Sequence, residues 1–279
     1  MTEQTVAMYC FIDDFLRVSQ PRWADKRWHL SDAEVLTTAL LAARFFGGNL
    51  TAARGYMQQH WGMRRLDKSG FTRHLHRLAE PLHALFLALG QHLKALNTEA
   101  RYVIDSFPVA VCDNIRIGRC RLLRGQAYRG YSASKRRYYY GFKVHLVMTH
   151  DGLSVEMYIH AGGEADLTGL KALSPQRPAG SRLYADAAYT DYAYTDYAYE
   201  DAWHETEQVH LLAARRGNSQ RPHQPWQAFL IQFFPKGVET TISRIVERFP
   251  SAIHAVTAQG VALKLLLFVF THTLAQLGC

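Results

Sequence analysis

The spacing of apolar residues changes near residue 100, and this change limits the folds that the chain can adopt. Before Asn97, apolar residues recur every three or four positions, which is typical of amphipathic helices. Ser31-Asp32-Ala33-Glu34 is a capping box that predicts the start of one helix. Further helices are predicted over 51–61, 69–78 and 81–96. The first 97 residues are therefore predicted to be an all-helical region.

After residue 101 the pattern becomes that of β-strands. Residues 138–149 and 153–160 alternate in polarity on either side of Asp151-Gly152, which predicts a hairpin with a two-residue turn. Shorter strands are predicted at 102–106 and 182–185, with a helix at 166–173 between them. This order predicts an α/β fold, a mixed sheet flanked by helices, in a second domain covering 98–279.

Residues 51–78 fit a helix-turn-helix within the helical region. Arg73, His74, His76 and Arg77 are then predicted to lie on the exposed side of the second helix, where they would face a DNA groove. The alternative is an ordinary solvated helical face, because helical bundles with basic surfaces are common.

Three acids stand out by their position relative to apolar stretches. Asp105 ends the run Val103-Ile104, Asp186 ends the run Leu183-Tyr184-Ala185, and Glu239 lies in an amphipathic stretch. A carboxylate is costly to bury without a partner. Two acids at strand ends and a third on a helix predict hard oxygen ligands for divalent cations. Two magnesium ions about 4 Å apart activate the attacking oxygen of phosphodiester cleavage and neutralise the leaving oxygen.

Each acid also has a simpler interpretation. Asp105 alone fits a turn at a strand end, and Asp186 alone fits a helix N-cap. Their shared position at the ends of two strands weakens both alternatives. Val238, Ile242, Ile245 and Phe249 form the apolar stripe beside Glu239, and the rivals for the third acid are Glu247, Glu205 and Glu207.

A basic tract lies between the first two acids: no aspartate or glutamate occurs from Asn114 to His150. Tyrosines are interleaved with its cations, and tyrosine stacks on unpaired bases while arginine binds phosphate through two hydrogen bonds. The tract predicts a nucleic-acid surface, and the alternative is a basic loop without a partner. The predicted DNA-binding residues are Arg116, Arg119, Arg121, Arg124, Arg129, Lys135, Arg136, Arg137 and Lys143, with Arg73 and Arg77 from the helical region.

Composition agrees with a soluble protein that has a polyanionic partner. The chain has 279 residues and a formal charge of +8. Its four cysteines lack zinc-binding spacing and predict reduced thiols in a cytosolic protein. The first residues do not resemble a secretion leader. The most apolar segment, 261–277, is interrupted by Lys264 and is predicted to be a core helix rather than a membrane span.

With these motifs in place, the chain resembles DDE-type transposases of bacterial insertion sequences, in particular the group named for insertion sequence 982. The similarity covers most of the chain and is strongest from Tyr102 to Leu274. It is carried by Ile104-Asp105-Ser106-Phe107-Pro108-Val109, Tyr140-Gly141-Phe142-Lys143-Val144-His145, Tyr184-Ala185-Asp186-Ala187-Ala188-Tyr189 and Val238-Glu239-Thr240-Thr241.

The resemblance implies an RNase H-like core with Asp105, Asp186 and Glu239 as catalytic triad and metal ligands. It also implies magnesium or manganese, terminal inverted repeats as substrate and a target DNA. Water would cut at the element's end and free a 3′ hydroxyl, which would then attack target DNA in line. Joining two ends implies a dimer on DNA, in the cytoplasm of a bacterium and associated with the nucleoid. Lys143 and His145 would position DNA or pair inside the sheet.

The chain departs from the family pattern at two places. Related transposases often carry an arginine four residues before the last acid, where this chain has Pro235, with Lys236 beside it. The pentapeptide Thr190-Asp191-Tyr192-Ala193-Tyr194 is repeated directly, which places the repeat at a helix entrance or in a loop. The alternative functions are an RNase H-like nuclease that cuts without joining and a DNA-binding descendant without catalysis.

Overall fold

A computed structural model describes residues 1–19, 30–112, 114–132, 135–173, 176–190, 196–215, 217, 219–250 and 253–278. The chain divides into two compact units. Unit 1 comprises Met1–Ala88 and Ile245–Cys279, and unit 2 comprises Leu89–Arg244. These units do not coincide with a division at residue 97, because the last 35 residues join the helical unit.

Unit 1 is helical, and its core is built around one almost fully buried helix. That helix, α2, starts at the predicted capping box: the backbone N–H of Ser31 donates to Glu34 Oε2 at 2.7 Å, and that of Glu34 donates to Ser31 Oγ at 3.1 Å. Ten of its residues are buried, from Ala33 to Ala43. The first five helices are α1 (Thr2–Ser19), α2 (Asp32–Phe45), α3 (Leu50–Trp61), α4 (Lys68–Arg77) and α5 (Ala79–Leu96).

The last helix of the chain, Ala258–Gln276 (α9), packs against α2 and completes this core. It is long and apolar enough to cross a membrane, but 72% of its most apolar window is buried. Thr271 and Thr273, which would be polar in a lipid-facing helix, donate to backbone carbonyls one turn earlier. This agrees with the expected core helix.

Unit 2 contains a six-stranded mixed sheet. β3 pairs antiparallel with β1 and β4 and, at its first residues, with β2. On the other side of β1, β5 and β6 follow in parallel, each paired with its neighbour. The strands are β1 (Arg101–Cys112), β2 (Arg129–Ser132), β3 (Arg137–Thr149), β4 (Ser154–Ala161), β5 (Arg182–Ala185) and β6 (His210–Ala213).

The hairpin of β3 and β4 is confirmed, with two differences from the expectation. Its turn has three residues, His150 to Gly152, since the Thr149 N–H donates to the Leu153 carbonyl and the Gly152 N–H donates to the Thr149 carbonyl within the turn. The strands are also buried on both faces, because helices or loops cover each side: Val144 and Leu146 are fully buried, and so is His145 between them. Alternation in sequence predicted the strands but not the second covered face.

The described residues of unit 2 also form α6 (Asp166–Ala172), α7 (Asp196–Glu207) and α8 (Pro225–Glu247). The last three residues of α8 belong to unit 1. The second copy of the repeated pentapeptide opens α7, as expected of a helix entrance. Residues 191–195, which hold most of the first copy, lie outside the described residues. β1 is longer than the predicted 102–106 and carries the chain through Asp105 to Cys112.

A buried charged cluster ties α5 to the sheet. The Lys94 ammonium contacts the Glu156 carboxylate on β4, and the Arg177 guanidinium donates to both Glu156 oxygens at 3.2 Å. The Arg177 guanidinium also lies over the rings of Tyr102 and Trp203, at 5.9 and 5.6 Å from their centroids. All three charges are buried, so each depends on the others for compensation.

Candidate active site

Asp105 and Asp186 lie at equivalent positions on neighbouring parallel strands. Arg101, Tyr102 and Val103 of β1 pair with Arg182, Leu183 and Tyr184 of β5. Continuing this register places Asp105 opposite Asp186, which follows β5 directly and keeps an extended backbone at φ −78° and ψ 176°. Residues in register on adjacent strands point to the same face, and such strands are about 4.8 Å apart. The sheet therefore brings the first two predicted acids together.

Helix α8 brings the third acid to the same face. The Phe234 ring packs against the Tyr184 ring at 4.7 Å between centroids, and Tyr184 shares the face of Asp186 by strand alternation. Glu239 lies little more than one turn further along α8 and is exposed, beside the buried residues Val238 and Ile242. The helix therefore presents Glu239 on the flank of its buried face.

The protein compensates the charges of Asp105 and Asp186 only in part. Burial, followed by the charges of Asp186, Glu239 and Asp166, raises the pKa of Asp105 to about 7, although the Ser106 N–H donates to it at 2.7 Å. Although part of the Asp186 side chain reaches solvent, burial and the Asp166 charge raise its pKa too. Asp105 thus takes up a proton near neutral pH unless a cation replaces it.

The simpler interpretations of the acids are partly realised. Asp186 caps a short 3-10 turn, accepting from the backbone N–H of Ala188 at 2.9 Å. Among the candidates for the third acid, Glu239 is the glutamate whose charge raises the pKa of Asp105. Glu247 belongs to unit 1, whereas Glu205 and Glu207 are exposed on α7.

A fourth carboxylate, Asp166 at the start of α6, lies next to the same site. It accepts from the Ser106 hydroxyl at 2.7 Å and from the Lys143 ammonium at 3.1 Å. The Lys143 side chain is only 15% exposed, which separates it from the surface cations of the basic tract. The pair therefore lies inside unit 2 and links β1, β3 and α6, as in the pairing alternative for Lys143.

Three buried rings form a directed hydrogen-bond relay under Ser106. The Ala161 carbonyl can only accept, so His160 donates to it through Nδ1 at 2.8 Å and accepts at Nε2. His145 Nε2 then donates to His160 Nε2 at 2.6 Å, and the Tyr189 hydroxyl donates to His145 Nδ1 at 2.8 Å. Burial lowers the pKa of His145 to about 3 and raises that of Tyr189, which keeps both rings neutral.

The relay fixes where α6 approaches the sheet. A Cβ on Gly169 would lie 2.5 Å from the His145 ring, closer than real contacts allow. The helix can therefore reach the imidazole only with a glycine at this position. Sequence analysis missed Asp166, His160 and Tyr189 as parts of the site, although two histidines at diagonally adjacent positions of one predicted hairpin were a usable signal.

The basic tract lies at the surface, in the connection between β1 and β3 and along the start of β3. Its eight cations other than Lys143 are all exposed: Arg116, Arg119, Arg121, Arg124, Arg129, Lys135, Arg136 and Arg137. Three of these arginines line a cleft with Tyr140: Arg119, Arg121 and Arg124. Tyr131 and Tyr138 are 53% and 54% exposed, and their ring centroids are 5.1 Å apart. The Arg129 guanidinium lies 5.1 Å from the centroid of the Tyr138 ring.

The predicted helix-turn-helix corresponds to α3, a six-residue turn and α4. Arg73, His76 and Arg77 are exposed on α4, but His74 is not. The prediction for His74 was wrong: it is 2% exposed, and its Nε2 lies 2.7 Å from Asp32 Oδ1 at the start of α2. Spacing alone did not distinguish the buried side of this strongly polar helix.

The acids fit a divalent cation by their chemistry. Carboxylate oxygens are the ligands that magnesium and manganese prefer, and the pKa of Asp105 is raised by burial and by the negative charges of Asp186, Glu239 and Asp166. Among the described residues, however, no three histidine, cysteine, aspartate or glutamate side chains are close enough to hold one ion together. The acids would have to draw closer to share it.

Comparison with known proteins identifies one family match. Residues 95–231 match the family model of a transposase DDE domain. The match covers slightly less than half of the chain, includes Asp105 and Asp186, and ends inside α8 before Glu239. It supports a DDE-type transposase, and domains of this kind generally use divalent metals. Comparisons with curated proteins and with solved structures returned no significant match.

Proposed function

We propose that this protein is the transposase of a bacterial insertion sequence, cutting DNA at terminal inverted repeats and joining the ends to target DNA. The observation that carries the proposal is the common register of Asp105 and Asp186, together with the Glu239 charge acting on Asp105. Acids gathered on one sheet face suit an enzyme that cleaves phosphodiesters with divalent cations. The family match over 95–231 supports the same reaction class.

In this proposal Asp105, Asp186 and Glu239 hold magnesium or manganese, which supplies activation of the attacking oxygen and neutralisation of the leaving oxygen. Two ions suit the reaction, because both oxygens change charge. Asp105 exchanges its proton for the cation, since its pKa of about 7 makes the proton easy to lose at neutral pH. Asp166 stays bound to Lys143 and Ser106 and keeps the end of β1 in place.

The surface cations bind the DNA backbone. Duplex DNA binds through phosphate contacts that release counterions, so affinity should fall steeply with salt. The helical region, 1–97 in the predicted division, would read the terminal repeats through Arg73 and Arg77 on α4. Two element ends require two active sites, which implies a dimer on DNA.

The strand order and the sequence motifs support a finer assignment. Three antiparallel strands, β4-β3-β1, followed by the parallel strands β5 and β6, support an RNase H-like core. The sequence motifs around the acids support the group named for insertion sequence 982. The protein would act in the bacterial cytoplasm, on the nucleoid.

Strand transfer with labelled duplexes, carrying the repeats that flank the gene, tests this function. The wild type with Mg²⁺ should give cut and joined products, and Asp105→Asn should give neither while still binding the duplex. Glu239→Gln should be inactive and Glu247→Gln active. Cuts without joined products would indicate a nuclease instead, and tight binding without cuts would indicate a non-catalytic DNA-binding protein.

A separate comparison tests the choice of Glu239 as the third acid. If Glu247→Gln is inactive and Glu239→Gln keeps full activity, then Glu239 is not the third acid. Each variant should be compared at equal folded fraction, since Glu239 and Glu247 are both exposed and their amides should not disturb the core.

A further inference from the structure

Helix α8 carries large apolar rings on the side that faces solvent. Trp226, Phe229 and Phe233 are 56%, 63% and 56% exposed. At about 100° per residue, Phe229 and Val238 point to opposite sides of the helix. The exposures agree, since Val238 is fully buried and holds the inner side. An amphipathic helix normally carries polar residues on its outer side, so these rings need another explanation.

The rings form a surface on which planar groups can stack. Phe229 and Phe233 lie nearly parallel, with an interplanar angle of 19° and 5.8 Å between centroids. Neither ring belongs to the buried face, which α8 forms instead with Ile231 and Phe234. Three rings at intervals of three and four residues cover about 10 Å of helix. Successive stacked bases of one DNA strand rise by about 3.4 Å, so this length suits two or three bases.

The same helix side favours a polyanion over a second copy of the chain. Lys236 is exposed and falls on the side of the rings by helical spacing, and Pro225–Val238 contains no acid, so the charge next to the rings is positive. Further along the same side, Arg244 and Glu247 offset each other. Pairing two such faces would bring two basic surfaces together in a chain of formal charge +8. Aromatic rings flanked by cations are instead the combination that binds unpaired nucleotides.

We propose that the α8 aromatic face (Trp226, Phe229 and Phe233) stacks unpaired bases of the DNA strand next to the phosphodiester that is cut. This rests on the proposed function and adds the form of its substrate, an opened duplex end. Glu239 lies six residues beyond Phe233, about 9 Å along the helix axis, so the stacked bases fall within about three nucleotides of the cut. Lys236 binds a phosphate of that strand.

The test compares two probes, a duplex with three mismatched base pairs at one end and the same duplex fully paired. Binding is measured by anisotropy in EDTA, with 2-aminopurine in the unpaired segment as a stacking reporter. The wild type should prefer the opened probe and quench the reporter. Phe229→Leu with Phe233→Leu should lose about tenfold affinity for the opened probe alone, because leucine keeps the apolar surface without a ring.

Phe229→Tyr with Phe233→Tyr should retain both the preference and the quenching, and Gln232→Ala serves as an exposed control on α8. Equal affinity of the leucine and tyrosine variants for the opened probe would overturn the proposal. So would a wild-type dimer in sedimentation without DNA that the leucine variant loses, which would make the face an interface between copies. Binding and cleavage of the paired duplex report on the proposed function separately.

Discussion

Replacing Asp105 by asparagine should stabilise the metal-free protein while abolishing cleavage. The carboxylate has its pKa raised from 3.8 to about 7, first by burial and then by Asp186 and Glu239. The folded state therefore holds the proton more tightly than the unfolded chain does. The contribution of Asp105 to stability is therefore most favourable below about pH 4, falls as pH rises toward 7, and is least favourable above it.

The size of the effect follows from the same shift. About three pKa units at about 1.4 kcal/mol each give a penalty of roughly 4 kcal/mol for the charged carboxylate above pH 7. The asparagine side chain carries no charge, and its oxygen can still accept the Ser106 N–H bond seen at 2.7 Å. The gain for Asp105→Asn at pH 8 should be about 2–4 kcal/mol and close to zero at pH 4. For a domain of 150–250 residues, each kcal/mol raises the melting temperature by about 2–4 °C.

Urea unfolding in EDTA at pH 4.5, 6 and 8 measures the difference in unfolding free energy between wild type and variant. Glu205→Gln, on the exposed side of α7, is the charge-matched control. Adding Mg²⁺ at pH 8 should stabilise the wild type and leave Asp105→Asn almost unchanged. A wild-type stability that is flat across this pH range, or a variant no more stable than wild type at pH 8, would refute the electrostatic reasoning.

Three further predictions concern other parts of unit 2. Glu156→Gln should cost about 3–5 kcal/mol in urea unfolding, since it leaves two buried cations without their anion. Arg121→Ala with Arg124→Ala should weaken duplex binding and flatten the plot of log affinity against log salt by about 0.9 per lost phosphate contact, whereas lysines at both positions should keep the slope. Gly169→Ala should destabilise the protein by about 1–3 kcal/mol and shift the His145 imidazole NMR signals, because a Cβ there meets the ring.

The periodic elements of this fold were accessible from sequence because each carries its own local signal. The capping box at Ser31 predicted the start of α2, and the alternation of polar and apolar residues predicted β3 and β4. Strand ends, turn lengths and the second buried face were not accessible, because they depend on what packs against the strand. His74 illustrates this: its partner Asp32 lies 42 residues away and no local pattern marks it.

The residues of the candidate site also fall into two groups, those that the sequence predicted and those that it did not. Asp105 and Asp186 were accessible because each follows an apolar run, and the parallel register then brings them together. Asp166, His160 and Tyr189 were missed because their roles arise from contacts between α6, the hairpin and the turn after β5. Such polar contacts between distant segments leave no period in the sequence.

Unit 1 takes its core from both ends of the described chain, with α2 contributed early and α9 more than 200 residues later. During translation, the buried side of α2 has to wait until the whole sheet-bearing unit has left the ribosome. A stop codon anywhere before α9 would thus leave that apolar surface uncovered, a target for chaperones and proteases even when every acid of the site is present. Only a chain that has been translated through α9 can therefore bury the core of unit 1.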